Sequence, residues 1–480
     1  MSDYGTLVTT MRTFHKTGAT LPQAWRLEQL QTLKRLLFEC QDELIEALEA
    51  DLSKCMTEAK VTELAQLFAE IDYAAANLGS WMKPESVKSA SWVNSFDSIQ
   101  VRRDPLGVIL IITPWNYPCM LTFLPLASAL AAGNVVVLKP SEMSENVARV
   151  IADVIPRYFE PNVVSVVTGG VPETQALLDV RFDHISFTGS TAVGKVIMAA
   201  AAKYLTPVTL ELGGKSPVIV DPTANVAAAA RRIVWGRLIN SGQSCIAPDY
   251  VLAHADVEAE LVDAMQAAIL EFYGENPAES PDFGRIINER HFDRILSLLD
   301  NPSGSDFDVV TGGPERADRE SKYIPPTILR NVSPSAAVMQ DEIFGPVLPV
   351  LSVNSLDEAL DFIKDREKPL ALYLFSTDKG VRERVLTETS SGSVCVNDTV
   401  IQHGVITLPF GGVGSSGMGA HHGKWGFDEF THTKAVLGKG AGMEGLNAVR
   451  YPPYDDTKLG RVEWALGYPK SLTKSACSIM

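Results

Sequence analysis

Val108-Ile109-Leu110-Ile111-Ile112-Thr113-Pro114-Trp115-Asn116-Tyr117-Pro118 sets five apolar residues, four of them β-branched, directly before an uncharged turn. So short and continuous a run reads as a strand buried on both faces, and the prolines after it restrict the backbone and end it. Downstream, Val135–Leu138, Val163–Val167, Ile185–Phe187 and Val208–Leu212 are further short apolar runs, separated by stretches of helical composition. That alternation predicts a parallel α/β sheet. Ligands of open parallel sheets bind at the carboxyl ends of the strands, so the turns after these runs are where chemistry is to be sought.

Upstream, Leu27, Leu30, Leu33, Leu37, Leu44 and Leu48 recur at helical spacing between Leu21 and Leu52, an amphipathic pattern whose apolar face belongs in the core. A second α/β stretch runs from about Leu212 to Val394, and the glycine-rich Phe410–Gly419 leads into an irregular tail. The sequence shows no convincing internal repeat.

At 480 residues the chain exceeds what one hydrophobic core usually serves, which predicts two or three packed units with a cleft between them. An apolar fraction of 46%, a charged fraction of 21%, and 35 glycines and 28 prolines spread along the chain are ordinary globular values and exclude a disordered protein. With 58 acidic against 42 basic residues the formal charge is −16, which repels a phosphate backbone and sets nucleic acid aside as a partner. The 6 cysteines are irregularly spaced, neither a disulfide framework nor a zinc site, and imply a reducing cytosol. The 8 histidines, including His421-His422, lack zinc-ligand spacing and read as structural or solvent-facing, so no metal is expected. Met1 to Gly5 is polar and acidic, and no window reaches the roughly 18 to 20 apolar residues of a bilayer span. The expectation is a cytoplasmic chain that neither enters secretion nor crosses a membrane.

The turn after Val108–Ile112 presents Asn116, an amide donor suited to an oxyanion, although a turn asparagine by itself more often bonds its own backbone. Lys139-Pro140-Ser141-Glu142 ends the next run with a cation and a carboxylate, a pair that suits ribose hydroxyls or a plain surface ion pair. Thr188-Gly189-Ser190-Thr191-Ala192-Val193-Gly194-Lys195 follows Phe187, and its glycines and hydroxyls suit a phosphate at a helix N-terminus. A nucleoside triphosphate P-loop needs Ser or Thr after the lysine; this chain has Val196, which excludes that class. Nor does the turn match the Gly-x-Gly-x-x-Gly fingerprint, so it points to phosphate without naming a cofactor.

Glu211-Leu212-Gly213-Gly214-Lys215 sets a carboxylate beside a flexible glycine pair, as a general base near a substrate requires. Asn240-Ser241-Gly242-Gln243-Ser244-Cys245-Ile246-Ala247-Pro248 places a cysteine in a small polar loop. Cys40, Cys55, Cys119 and Cys395 lie in apolar or helical contexts and read as buried small hydrophobes, whereas Cys245 reads as a nucleophile. No histidine lies near it in sequence, so a papain-type pair is not indicated.

These turns, together with Glu342-Ile343-Phe344-Gly345-Pro346 and Leu408-Pro409-Phe410-Gly411-Gly412, resemble the aldehyde dehydrogenase superfamily in order and spacing over nearly the whole chain. The short N-terminus and Gln243–Tyr250 are similar to its class 3, the fatty and aromatic aldehyde branch. The resemblance implies an α/β fold with a Rossmann-like NAD(P)-binding domain over 1–82 and 105–211 and a catalytic domain over 212–394. It further implies a bridging or oligomerisation element over 83–104 and 395–430, a C-terminal tail over 431–480, and a homodimer.

On matching positions it makes Cys245 the nucleophile, Asn116 the oxyanion donor beside the Cys245 backbone amide, and Glu211 the general base. Lys139 and Glu142 would hold the adenosine ribose, Ser190 with Gly189 and Gly194 the pyrophosphate, and Glu342 and Phe344 the nicotinamide ribose. NAD is the implied cofactor, with NADP also accepted. Tyr117, Trp235 and Phe410 stand where they would wall an apolar substrate funnel. The implied reaction is oxidation of medium or long aliphatic or aromatic aldehydes through a cysteine thiohemiacetal and thioester. Its rivals are an acylating, coenzyme A-dependent dehydrogenase, a cofactor-free esterase and a non-catalytic protein that kept the fold. Cys477-Ser478-Ile479-Met480 fits the C-a-a-X prenylation pattern, which would give peripheral, reversible membrane attachment and would be silent in a bacterium.

Overall fold

Each apolar run becomes a strand because its residues are buried on both faces and its ends carry the chain-turning residues. In the computed structural model, which describes residues 4–301, 304–442 and 444–469, the first five are β1 (Val108–Ile112), β2 (Val135–Lys139), β3 (Val164–Val166), β4 (His184–Gly189) and β5 (Val208–Leu212). Two helices matter to the site: α1 (Met120–Ala131) after β1, buried along its whole length, and α2 (Thr191–Ala202) after β4. Cys477 and its motif lie outside the described residues.

The second α/β stretch supplies β6 (Pro217–Val220), helix α3 (Val226–Leu238), β7 (Tyr250–His254), β8 (Asp308–Thr311), β9 (Thr327–Arg330), β10 (Val347–Val353), β11 (Ala371–Phe375) and β12 (Ser393–Val396). The chain then returns to the first sheet with β13 (Gly417–Met418). The first sheet has the order β13-β5-β4-β1-β2-β3, parallel except where β13 runs against β5. The second has the order β8-β9-β10-β7-β6-β11-β12, parallel except between β8 and β9. In the first sheet the chain steps outward from β1 in one direction to β3 and in the other to β5. The turns after β1 and β4 therefore flank the switch point, the crevice where such sheets bind ligands.

These sheets belong to one compact unit, which takes residues up to Leu78 and Pro105–Phe430. Its N-terminal helical pattern is two helices, Gln23–Glu39 and Gln41–Leu52, broken at Cys40. Leu30, Leu33, Leu37, Leu44 and Leu48 are buried as expected, and Leu27 is half-buried. The second helix stops where Ser53 enters the left-handed region (φ 52°).

The other unit holds Gly79–Asp104 and the residues from Thr431 on. Its sheet has the order Glu85–Ser86, Ser98–Pro105, Thr431–Gly438, and Trp92 meets Trp464 with ring centroids 4.9 Å apart. Here the expected boundaries need correction. Residues 395–430 belong to the first unit, because β12 is the edge of the second sheet and Gly417 pairs with Glu211. Residues 431–438 are a strand rather than irregular tail. Local pattern does not encode a strand's distant partner, and that partner decides which unit each segment joins.

Candidate active site

The loop carrying Cys245 is reached through a backbone bend. After α3 the chain makes a short turn, Ile239–Gly242, in which Asn240 (φ 51°), Ser241 (φ 52°) and Gly242 (φ 77°) are left-handed. Asparagine and glycine tolerate this region better than most residues. Gly242 is needed for a second reason: a Cβ there would lie 2.3 Å from the Gly345 carbonyl oxygen. Buried amides hold the turn. The Asn240 side chain donates to the carbonyls of Asn116 (2.7 Å) and Gln243 (3.1 Å). Gln243 donates to the Asn240 and Arg285 carbonyls (3.0 Å each) and accepts from the Ile287 amide (2.9 Å).

Asn116 is itself buried, and its Nδ2 donates to the Gln243 carbonyl at 3.1 Å, so its donor points toward the Cys245 loop. Its carbonyl also accepts from Lys54 Nζ at 3.3 Å. Lys54 pairs with Glu63 at 2.7 Å, both side chains being fully shielded from solvent. The other Glu63 oxygen accepts from the Cys119 and Met120 amides (3.1 and 2.9 Å) at the start of α1. A carboxylate there satisfies amides that have no helical partner and complements the helix dipole. Glu58, a few residues earlier, accepts from the Asn240 amide at 2.8 Å. The run from Lys54 to Glu63, ending in a π-helical turn over Lys60–Leu64, thus braces both Asn116 and the cysteine loop from beneath.

Two carboxylates face Cys245. Glu211 ends β5, accepts from Thr188 Oγ1 at 3.2 Å, and leaves its second oxygen buried without a partner among the described residues. Burial pushes its pKa up to about 7, with the Thr188 hydroxyl working the other way. Glu342 has one oxygen orphaned in the same sense, and burial, reinforced by Asp249, pushes it up to about 8. The Cys245 thiol is also pushed well up, first by burial and then by Glu211 and Glu342. Cys245 is partly accessible, whereas Cys40, Cys119 and Cys395 are buried; Cys55, expected to be buried, is half-exposed at the start of a short helix. His403, His421 and His422 are all buried, so none of the three faces solvent.

Two cavities meet at these groups. A cleft of about 860 Å³ is lined by Asn116, Gly189, Ser190, Glu211, Cys245, Glu342 and Phe344, among others. An apolar pocket of about 210 Å³ brings together Tyr117, Trp235 and Phe410, and it shares Glu211 and Cys245 with the cleft. The remaining cofactor candidates lie apart from the cleft walls. Lys139 is buried, donates to the Pro140 carbonyl at 2.9 Å and sits 3.8 Å from the half-exposed Glu142. Gly194 serves packing: a Cβ there would meet Leu212 Cδ2 at 2.6 Å, so its absence lets α2 lie close on β5.

The cleft fits a nicotinamide dinucleotide on its own features. Ser190 caps α2, whose N-terminus opens into the cleft where a pyrophosphate would find amides and a favourable dipole. A Cβ at Gly189 would collide with the Phe187 ring at 2.5 Å. The orphaned Glu342 oxygen awaits a hydroxyl donor. Phe344, held at φ 51°, stands edge-on to Trp115 at 5.4 Å, which stiffens the wall.

Several structural residues were not foreseen. Asp249 accepts from Arg237 (2.9 Å), Lys215 (2.6 Å) and the Ile343 amide (3.2 Å), tying the cysteine loop to the Glu342 segment. Gln243 and Asp249 lie within the Gln243–Tyr250 stretch without a role assigned to them there, and Lys54, Glu58 and Glu63 carry no motif of their own. The only sequence signal at Lys54–Glu63 is dense charge, which ordinarily marks a solvated helix face.

The aldehyde dehydrogenase family profile matches residues 2–436. The chain is 47% identical over 455 residues to aldehyde dehydrogenase family 3 member A2 of Mus musculus, covering 95% of this chain and 92% of that one. It is also 47% identical over 453 residues to the Mus musculus protein named aldehyde dehydrogenase, dimeric NADP-preferring, covering 94% and 98%. Among solved structures, a substrate-bound state of Staphylococcus aureus AldH superposes with a TM-score of 0.93 at 42% identity, over 97% of this chain and all of that one.

Proposed function

The chain belongs to the aldehyde dehydrogenase family and oxidises aldehydes with NAD or NADP, and on that premise we propose that it does so through a covalent thioester on Cys245. What carries this is the junction: Cys245 and Glu211 line both the polar cleft and the apolar pocket, so a carbon held between them meets cofactor on one side and its own apolar chain on the other.

Beside two carboxylates, Cys245 rests as a thiol; ionised Glu211 takes its proton as the sulfur bonds to the carbonyl carbon, giving the thiohemiacetal oxyanion, and passes that proton to solvent before hydrolysis. The developing oxyanion takes hydrogen bonds from Asn116 Nδ2 and the Cys245 amide. Bound NAD(P) supplies the acceptor for the hydride that leaves this carbon. The apolar pocket keeps bulk water from the thioester that results, and Glu211, ionised at and above about pH 7, removes a proton from the single attacking water. Carboxylate departs and the thiol is restored.

Ser190 would hold the pyrophosphate, Glu342 and Phe344 the nicotinamide ribose, and Lys139 with Glu142 the adenosine ribose. Tyr117, Trp235 and Phe410 favour an apolar aliphatic or aromatic aldehyde. Glu211 argues against the acylating rival, because a base that activates water competes with thioester transfer to coenzyme A.

The unit with the exposed Trp92, Phe96 and Trp464 would join two copies in a homodimer, in keeping with the word dimeric in the mouse relative's name. A lipid on Cys477 would tether a cytoplasmic enzyme reversibly. Formation of reduced nicotinamide by the purified chain with a panel of apolar aldehydes, repeated with Cys245→Ala, tests the proposal. Turnover that vanishes in the variant is the expected result. Turnover that persists would overturn the thioester mechanism, and no turnover with any aldehyde would overturn the substrate class.

A further inference from the structure

The apolar pocket contains a polar pair that the oxidation does not use. His403 lies in its wall on the short turn Ile401–Gly404, with 7% of its surface exposed, and Gln66, on the helix Ala65–Trp81, lines the same pocket. His403 Nδ1 is 2.8 Å from Gln66 Oε1. An amide oxygen only accepts, so Nδ1 donates and carries the ring proton. A neutral imidazole protonated at Nδ1 is an acceptor at Nε2.

Burial keeps the ring neutral, and so do His422 and His421, whose charge would add to its own. Its orientation is fixed by Phe410 and His422, both edge-on, with centroids at 4.4 and 4.8 Å. The contact between His403 and Gln66 leaves two capacities unused: an acceptor at His403 Nε2 and a donor at Gln66 Nε2. The hydroxyls of the same wall are engaged elsewhere, Thr62 donating to the Glu58 carbonyl at 2.8 Å and Tyr117 bonding Ser244. His403 Nε2 and Gln66 Nε2 point to opposite sides of the ring–amide contact, so a single hydroxyl reaches only His403 Nε2; a rigid acceptor in an otherwise apolar pocket matches a hydroxyl that donates.

We propose that His403, oriented by Gln66, recognises a hydroxyl group carried by the aldehyde away from its carbonyl, and so determines a preference for hydroxylated over purely hydrocarbon substrates. The hydroxyl donates to His403 Nε2, while Gln66 holds the ring in the tautomer that accepts there. This rests on the apolar pocket holding the aldehyde's carbon skeleton. A hydrocarbon isostere gains as much from apolar contact but leaves the acceptor of the buried His403 ring unpaired, so the discrimination is large for a single group.

The test compares para-(hydroxymethyl)benzaldehyde with para-ethylbenzaldehyde, and the two meta isomers, on the full chain with NAD(P). Each pair has the same shape, and a methylene insulates the hydroxyl from the carbonyl. The ratio of kcat/KM is read within each protein, so any change in overall rate cancels. Expected is a ratio of roughly tenfold or more in favour of the hydroxyl compound for at least one isomer, falling to about one in His403→Leu. Gln66→Met, which frees the ring without removing it, lowers the ratio too and stands in should the histidine variant fail to fold. A wild-type ratio at or below one for both isomers overturns the proposal, as does a ratio that survives both substitutions. Those outcomes leave apolar aldehyde oxidation standing; a wild type that oxidises none of the four compounds overturns that reading and this proposal together.

Discussion

The cleft and the pocket that meet at Cys245 are built in opposite ways. Three of the cleft's walls are consecutive residues at strand ends: Pro114–Asn116 after β1, Thr188–Ala192 across the end of β4, and Glu211–Lys215 across the end of β5. Main-chain groups and the helix N-terminus at Ser190 do much of its work. The pocket draws side chains from seven separate stretches, 61–66, 117–121, 211, 235–239, 244–246, 400–404 and 410. A cleft made of backbone turns suits a ligand that never changes, whereas a pocket made of scattered side chains can be reshaped one residue at a time without disturbing the chemistry. The shared wall, Cys245 with Glu211, has neither freedom.

If so, substitutions on the shared wall should affect the chemical step most. Cys245→Ala should lower turnover by roughly 10⁴-fold or more while cofactor binding, read by fluorescence titration, stays within about twofold. Glu211→Gln should cost roughly 10²–10⁴-fold in the rate of thioester hydrolysis, with a slower burst of reduced nicotinamide still ahead of the slowed steady state. The sign of the pH dependence follows from the same group. Because the base works ionised and its pKa is raised to about 7, wild-type kcat should rise through that pH and level above it. The variant should lose that limb; an unchanged profile would remove Glu211 from the base role.

Asn116→Ala should lower kcat roughly 10²–10³-fold through loss of one oxyanion donor, with KM for the cofactor little changed. The smallest effects should separate the cavities. Trp235→Ala should raise KM for apolar aldehydes by about tenfold and leave the cofactor KM alone, while Phe344→Ala should do the reverse. If either substitution moved both constants equally, the two cavities would not be independent.

Legibility tracked the same division. The strands β1 and β5 appear at the bounds their apolar runs suggest, and the cysteine loop stands out because a polar loop is an unusual place for that residue. Lys54 and Glu63 escaped notice because charged residues between helical turns ordinarily face water. Their burial is tolerable only because each finds the other and the remaining oxygen of Glu63 finds the α1 amides, contacts that exist only once the helices pack. Gly194, expected at the pyrophosphate, also lets α2 lie close on β5, a packing role that the sequence alone does not spell.

By itself the sequence determined the parallel α/β class, the order of the strand-end turns and the identity of the groups able to react, because hydrophobic period and turn chemistry are local properties of the chain. Tertiary structure alone decided that β13 closes the first sheet against Glu211, that Thr431–Gly438 is a strand of the second unit, and that Glu211 and Glu342 titrate far from ordinary carboxylates. Strand partners and desolvation depend on what arrives from distant parts of the chain. Neither has any trace in the residues next door.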